Sequence, residues 1–341
     1  MSAGLPGLNP QRLVQLMATA VERCHLDLRG AVVLTEARTG AYIVTPILAA
    51  MAGASHVLAV TRSTRYGSVE QVCEQTLHLA ELAGVNGGIE VVSAKTATLV
   101  AQADIITNSG HVRPLDAIMI GWMKPTAVIP LMYEAWELRP DDLDVDACHR
   151  RGILVAGTNE RHPAVDVFSY LGVMAIKLLL EAGVSVYSTR LLLLCDNAFA
   201  GYIERGLIGA GAKVDVCADL AAAITSGQPA YDAIVVALQP KPEPVLMAAD
   251  INAIAKRWPG AVIAQYWGDV DRAAAEAAGV PIWPPEAPGP GHMAILPSAV
   301  GPESIVRLQS GGLKVGEVLW RAANASGAEH PVQSEWIDQY V

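Results

Sequence analysis

Short aliphatic runs with strand character alternate with amphipathic helical runs, and this alternation passes along the chain twice. In the first half, strand-like segments fall at 31–36, 57–61, 89–92, 104–107, 127–131 and 153–156, with helical periodicity at 11–28, 43–51 and 69–83 among them. After an apolar helical stretch at 165–181 the pattern restarts, with strands at 190–194, 213–217, 232–237, 261–265 and a short one at 281–283. A parallel neighbour cannot be reached by a hairpin, so such alternation implies crossover helices and parallel sheets. The expected fold is α/β, as two Rossmann-like doubly wound parallel-sheet domains with a ligand cleft between them. The first takes residues 1–163, an inter-domain helix takes 164–185, and the second domain takes 186–300. A last helix at 303–323 returns to the first domain, and Gly311-Gly312 marks a kink in it. The tail from Asn324 is polar and reads as loosely docked.

Composition supports this division. The chain has 341 residues, 52% of them apolar, enough for two cores. Its formal charge of −10 argues against a broad nucleic-acid surface. Every apolar run is broken by charge or glycine, so no membrane span and no signal peptide is expected. The cysteines Cys24, Cys73, Cys148, Cys195 and Cys217 are scattered and odd in number. They read as reduced thiols of a cytoplasmic protein, and no Cys/His cluster has metal-ligand spacing.

Candidate chemistry sits where strands hand over to loops, since ligands of open α/β sheets bind outside the carboxyl ends of the strands. The second sheet opens with Cys195-Asp196-Asn197-Ala198-Phe199-Ala200-Gly201. Against the dinucleotide pattern Gly-x-Gly-x-x-Gly this keeps only the third glycine, Gly201, which would permit close helix–strand packing. Asp219 follows the next strand, where an acid would hold a ribose hydroxyl. Asn197, Gly201 and Asp219 are therefore candidate cofactor contacts, and an N-cap without nucleotide is the plainer alternative. The first sheet offers Glu36-Ala37-Arg38-Thr39-Gly40 and a strand-end Arg62-Ser63. Gly40 and Arg62 join the cofactor candidates, because free helix amides and a strand-end arginine suit phosphate.

Four further loops carry proton-transfer or anion-binding groups. Asn108-Ser109-Gly110-His111-Val112-Arg113 offers Arg113 as a carboxylate clamp and His111 as a proton carrier. Tyr133-Glu134-Ala135-Trp136-Glu137 sets two carboxylates beside aromatic rings. Asn159-Glu160-Arg161-His162 again follows a strand, with Glu160 a catalytic candidate and Asp166 placed to pair with His162. His292 lies among glycines after an extended Pro/Gly loop that also holds Glu286, a poor setting for mere core packing.

The run Leu143-Asp144-Val145-Asp146-Ala147-Cys148-His149-Arg150-Arg151-Gly152-Ile153-Leu154-Val155, with Ala103–Thr107 and Met123-Lys124-Pro125, resembles the D-isomer-specific 2-hydroxyacid dehydrogenases over roughly residues 100–320. The resemblance is to a divergent, formate/glycerate dehydrogenase-like relative. It implies a catalytic domain, an inserted NAD domain and a returning C-terminal helix, with His292 nearest to the family's late histidine. The cofactor glycines stand as Asp196 and Ala198, and Tyr266-Trp267-Gly268-Asp269 occupies the place of the family's catalytic arginine. Two readings follow. One is an NAD- or NADP-dependent oxidoreductase acting on a small carboxylate, as a homodimer. The other keeps the scaffold for lyase or transferase chemistry, or for metabolite binding without a nicotinamide.

Overall fold

The computed structural model describes residues 5–225, 227, 230–325 and 332–341, and all statements of count or absence below concern these. The alternation resolves into two compact units, one of Met1–Val167 with Gly301–Val341, the other Phe168–Val300.

In the first unit, β1 (Val32–Glu36), β2 (His56–Val60), β3 (Ile89–Val92), β4 (Ile105–Ile106), β5 (Val128–Pro130) and β6 (Leu154–Thr158) are parallel and lie in the order β3-β2-β1-β4-β5-β6. This 3-2-1-4-5-6 order is that of the doubly wound dinucleotide-binding fold. The strands other than the edge strand β3 are buried on both faces, which is why they read as continuous aliphatic runs rather than alternating ones. Helices α1 (Pro10–Arg23) and α2 (Val44–Met51) cover one face, packing with Val33, Val57 and Ile105. Helix α3 (Val69–Leu82) joins them, with Val72 and Leu79 in the same core, and on the other face α4 (Ala97–Val100), α5 (Ala117–Trp122) and α6 (Val145–Arg151) enclose Leu34, Ile106 and Ile129.

Local signals explain these elements. Asn9 caps α1 by accepting from Arg12 N at 3.2 Å, and Pro10 takes the first helical position. Leu13, Met17 and Ala20 then form its buried stripe, the two large side chains contributing about 1.5–3 kcal/mol each. The expected helix to residue 28 stops at Arg23. His25 turns the chain at φ +44°, and Leu26 and Leu28 reach the same core from a loop, so the apolar period outlasts the helix. Ser68 and Gln71 form a capping box at α3.

The second unit has α7 (Tyr170–Glu181), β7 (Arg190–Leu194), α8 (Ala200–Gly209), β8 (Lys213–Cys217), α9 (Leu220–Thr225), β9 (Ala233–Ala237), α10 (Ala248–Arg257), β10 (Val262–Trp267), α11 (Arg272–Ala278) and β11 (Ile282–Trp283). Its strands are all parallel, in the order β11-β10-β9-β7-β8, the 2-1-3-4-5 arrangement of flavodoxin-like sheets. The helix expected from residue 165 starts only at Tyr170, because Asp166 has φ +48° and sends Val165 and Val167 inward from a loop. Close helix packing is not at Gly201, whose absent side chain faces open space. It occurs at the α7–α8 crossing, where a Cβ on Gly206 would lie 2.6 Å from Gly172 Cα.

The chain then returns to the first unit as α12 (Pro302–Asn324) and β12 (Ile337–Tyr340). Helix α12 is unbroken through Gly311-Gly312. Those glycines let it lie against the sheet: a Cβ would come within 2.8 Å of Val165 Cγ2 at Gly311 and 2.5 Å of Met132 Sδ at Gly312. Each glycine costs about 1 kcal/mol of helix propensity, offset by the close packing it permits. Of the tail, residues 326–331 lie outside the described residues, and 332–341 are not loosely docked, since β12 pairs antiparallel with β6, Tyr340 opposite Ala156. No helix is long and apolar enough to cross a membrane. All five cysteines are free, and no group of three or more His, Cys, Asp or Glu could hold a metal ion.

Candidate functional site

The order of the seven-stranded sheet reverses between β1 and β4, the place where an open sheet leaves a crevice. Leu34 pairs with Ile106, so two residues further on Glu36 and Asn108 come out side by side on the same face of neighbouring strands. Glu36 is 2% exposed and Asn108 1%. Glu36 Oε2 accepts from His111 N at 3.0 Å and lies 3.9 Å from Arg38 Nε, while its second oxygen takes no hydrogen bond.

Gly110 lacks a side chain at the point where these charges converge. A Cβ there would meet Glu36 Oε2 at 3.2 Å, Arg38 Nη1 at 3.3 Å and Arg113 Nη2 at 3.9 Å. The arginine is aimed from behind: Arg113 Nη1 donates to Asp142 Oδ2 at 2.7 Å, and Tyr133 Oη donates to the same oxygen at 3.2 Å. Lys95 Nζ fixes the loop by donating to the carbonyls of Val112 at 2.7 Å and Pro114 at 2.9 Å. Asn108 Oδ1 accepts from Met132 N at 2.8 Å, tying β4 to the β5 loop. Its Nδ2 is buried without a partner, and so is His111 Nδ1. Native proteins pair nearly all buried polar atoms, so both groups have bonding capacity to spare.

The electrostatics follow from burial among cations. Desolvation raises the Glu36 pKa above the ordinary carboxylate value, opposed by Arg38, the His111 amide and Arg113. His111 is pushed down, first by burial and then by Arg38 and Arg62, which favours the neutral imidazole. Arg62 follows β2 and is exposed, and Gly40 begins a 3-10 turn, Gly40–Ile43, that feeds α2. A cavity of about 460 Å³ adjoins this loop, but Asp116, Asp141, Asp144 and Asp146 line it and make it hostile to anions.

On the same sheet, the loop Asn159–His162 serves the C-terminal segment. Asn159 Nδ2 donates to Glu335 O at 2.8 Å, Arg161 bridges Glu134 and Asp338, and His162 stacks on Trp336 at 3.8 Å. Asp166 pairs with Arg307 at 3.4 Å, whereas the sequence suggested His162 as its partner. Glu160 is buried facing Glu137, and both acids are raised, first by desolvation; Glu137 and Glu134 lift Glu160 further.

In the second unit the order reverses between β7 and β9, and side chains cross that seam. Gln239 N donates to Asp196 Oδ1 at 2.8 Å, and Asn197 Nδ2 donates to Ala237 O at 2.8 Å and to Asp196 Oδ1 at 3.1 Å. Asp219 is exposed and caps α9 through Ala222 N at 2.8 Å. The N-terminus of α8 has no side-chain cap of its own, although Asn197 Oδ1 accepts from Phe199 N. His292 is exposed in a turn beyond β10, its N donating to Gly289 O at 2.8 Å. The sequence alone singled out His111 and Arg113. It missed the pairing of Glu36 with Asn108, whose one visible signal was a glutamate ending an otherwise aliphatic strand.

No protein-family model and no curated protein matches the sequence. Among solved structures, a dipicolinate synthase component from Bacillus subtilis is 14% identical, covers 87% of this chain and 99% of its own, and superposes with a TM-score of 0.54. Its counterpart from Bacillus halodurans is 14% identical over 88% of this chain and 100% of its own, with a TM-score of 0.51. The protein has the fold of these two dipicolinate synthase components. An NAD-dependent formate dehydrogenase from Staphylococcus aureus is also similar, at 13% identity over 82% of this chain and 97% of its own, with a TM-score of 0.41. The two-sheet α/β fold expected from the sequence is thus matched by solved structures.

Proposed function

We propose that this protein is an NAD(P)-dependent oxidoreductase acting on a small carboxylate-bearing metabolite. The observation that carries the reading is the convergence of Arg38 and Arg113 on Gly110 at the β1/β4 switch point, beside the unpaired buried Asn108 Nδ2 and His111 Nδ1. Arg113, held by Asp142, orients the substrate carboxylate, and Arg38 adds charge. His111, kept neutral by its surroundings, can take a proton at Nδ1, which no protein group engages. His292 is the proposed proton carrier of the second unit. Glu160 is the candidate proton store of the first, its carboxyl shared with Glu137.

A nicotinamide dinucleotide, when bound, would supply the hydride donor or acceptor. The second unit can hold it: the α8 N-terminus lacks a side-chain cap, Gly201 leaves open room over the first helical turn, and Asp219 has an oxygen to spare for a ribose hydroxyl. Gly40 and Arg62 are the corresponding positions on the first sheet. Titration of NADH and NADPH into the full-length protein, followed by nicotinamide fluorescence, tests the reading. Saturable binding weakened by Asp219→Ala supports it, and no change at millimolar nucleotide removes it.

One feature favours a second reading, non-redox chemistry or plain metabolite binding on the same scaffold. Asp196 stands where the fingerprint has its first glycine, and a charge there opposes a diphosphate by about 1–4 kcal/mol at 4 Å. A homodimer is also proposed. The glycine face of α12 is turned into its own sheet and cannot supply the interface, but Val173 and Leu180 on α7 and Ile208 on α8 are exposed apolar residues. Sedimentation of the protein and of its Leu180→Glu variant checks this.

A further inference from the structure

The β1/β4 rim carries a feature that a site for a plain carboxylate would not need. A buried carboxylate, Glu36, sits among the arginines, within reach of the same point beside Gly110. Against a substrate that bears only negative charge, Glu36 repels, and its Coulomb energy works against Arg38 and Arg113. Mere structural service does not account for the whole group. One oxygen is used, for the His111 amide, and the other takes no hydrogen bond. In the loop after the neighbouring strand, Asn108 Nδ2 is a buried donor without an acceptor. The rim therefore joins a carboxylate with capacity for a further donor to two arginines, all three within 4 Å of where a Cβ would stand on Gly110, and an unpaired buried amide lies in the loop after the neighbouring strand.

We infer that this rim binds an α-amino acid, its ammonium on Glu36 and its carboxylate on Arg38, Arg113 and Asn108 Nδ2. The assignment rests on the reading of the rim as a carboxylate site and narrows it from small acids in general to zwitterions. An α-amino acid carries both charged groups on one carbon, a spacing that matches one acid and two arginines gathered within 4 Å of a single point beside Gly110. A 2-hydroxy or 2-oxo acid has the carboxylate but no cation for Glu36, and leaves that acid buried beside a second anion.

Calorimetric titration of the full-length protein with matched trios tests this: alanine, lactate and pyruvate; aspartate, malate and oxaloacetate; glutamate, 2-hydroxyglutarate and 2-oxoglutarate, with both enantiomers of the chiral members. The expected result is at least tenfold tighter binding of the amino acid than of its hydroxy and oxo partners in a trio that binds. Glu36→Gln should erase that preference and leave the oxo acid within threefold of its original affinity. Should that variant fail to fold, the N-acetyl derivative of the preferred amino acid reads the same contact on the unaltered protein. It keeps the carboxylate, loses the ammonium, and should bind at least tenfold more weakly. Equal affinity within every binding trio, a preference that survives Glu36→Gln, or an N-acetyl derivative that binds as well as its parent overturns the assignment while sparing the carboxylate site. If no acid of any trio binds, both fall.

Discussion

The two switch points are built on one plan and finished differently. In each, an acid follows or ends the first strand of its sheet and accepts an amide from the loop across the seam. Glu36 takes His111 N at 3.0 Å, and Asp196 takes Gln239 N at 2.8 Å. Around Glu36 the structure adds Arg38 and Arg113 and leaves Asn108 Nδ2 and His111 Nδ1 unsatisfied. Around Asp196 it adds Asn197, which donates back to the acid and to Ala237 O, so the seam closes on itself. The same stitch can thus hold a fold together or open a site. What separates the two is the supply of donors beyond those the stitch consumes.

The sharpest way to break this comparison is to remove the surplus. Arg113→Ala should weaken carboxylate binding by about 10- to 100-fold, the worth of a charged hydrogen bond of about 1.5–3 kcal/mol, as read by calorimetry. Nucleotide fluorescence titrations should stay within twofold. An equal loss of both ligands would mean that the first unit's rim carries no separate site. Next in size, Asp196→Asn keeps an acceptor for Gln239 N but removes the charge. NADH or NADPH affinity should rise about tenfold, within the Coulomb range for a neighbouring diphosphate, and unchanged affinity would place the nucleotide elsewhere.

The Glu137–Glu160 pair gives a pH signature. Both acids are raised in the folded protein, so the native state binds more protons than the unfolded one between the ordinary carboxylate pKa and the raised values. Their contribution to stability is therefore lost as pH climbs through that window and is constant on either side. Glu160→Gln should flatten the fall in melting temperature between pH 4.5 and about 7. A profile as steep as that of the unaltered protein would show that other groups set it. The smallest effect is expected from Asn108→Leu, which removes the orphaned Nδ2 but also the acceptor for Met132 N. These nearly cancel, so stability should change by less than about 1 kcal/mol while carboxylate affinity drops several-fold. A large stability loss would show that Nδ2 is satisfied in solution.

Much of the architecture was legible because most strands are buried on both faces and read as aliphatic runs. Residues 190–194 coincide with β7, buried but for its first residue, while 213–217 coincide with the edge strand β8, where no residue is buried and valines alternate with polar residues. Boundaries failed where apolar side chains enter the core from loops, as with Leu26, Leu28, Val165 and Val167. The α12 glycines were not read as a packing face because close approach and flexibility carry the same letters, and β12 was too short to show its alternation. At the site, His111 and Arg113 stood out as polar residues after a strand. Glu36 did not, since its importance depends on lying opposite Asn108, and the register of strands some seventy residues apart is not written in either one.

The first unit is closed by the last part of the chain. Leu313, Val315 and Leu319 of α12 are buried in its core, and β12 covers the outer edge of β6. During synthesis, the stretch Phe168–Val300 therefore leaves the ribosome whole while the earlier unit still waits for its helix and its final strand. The part of the molecule made first is the part completed last, and nascent polypeptides halted before residue 302 should expose a sticky aliphatic face that chaperones can recognise.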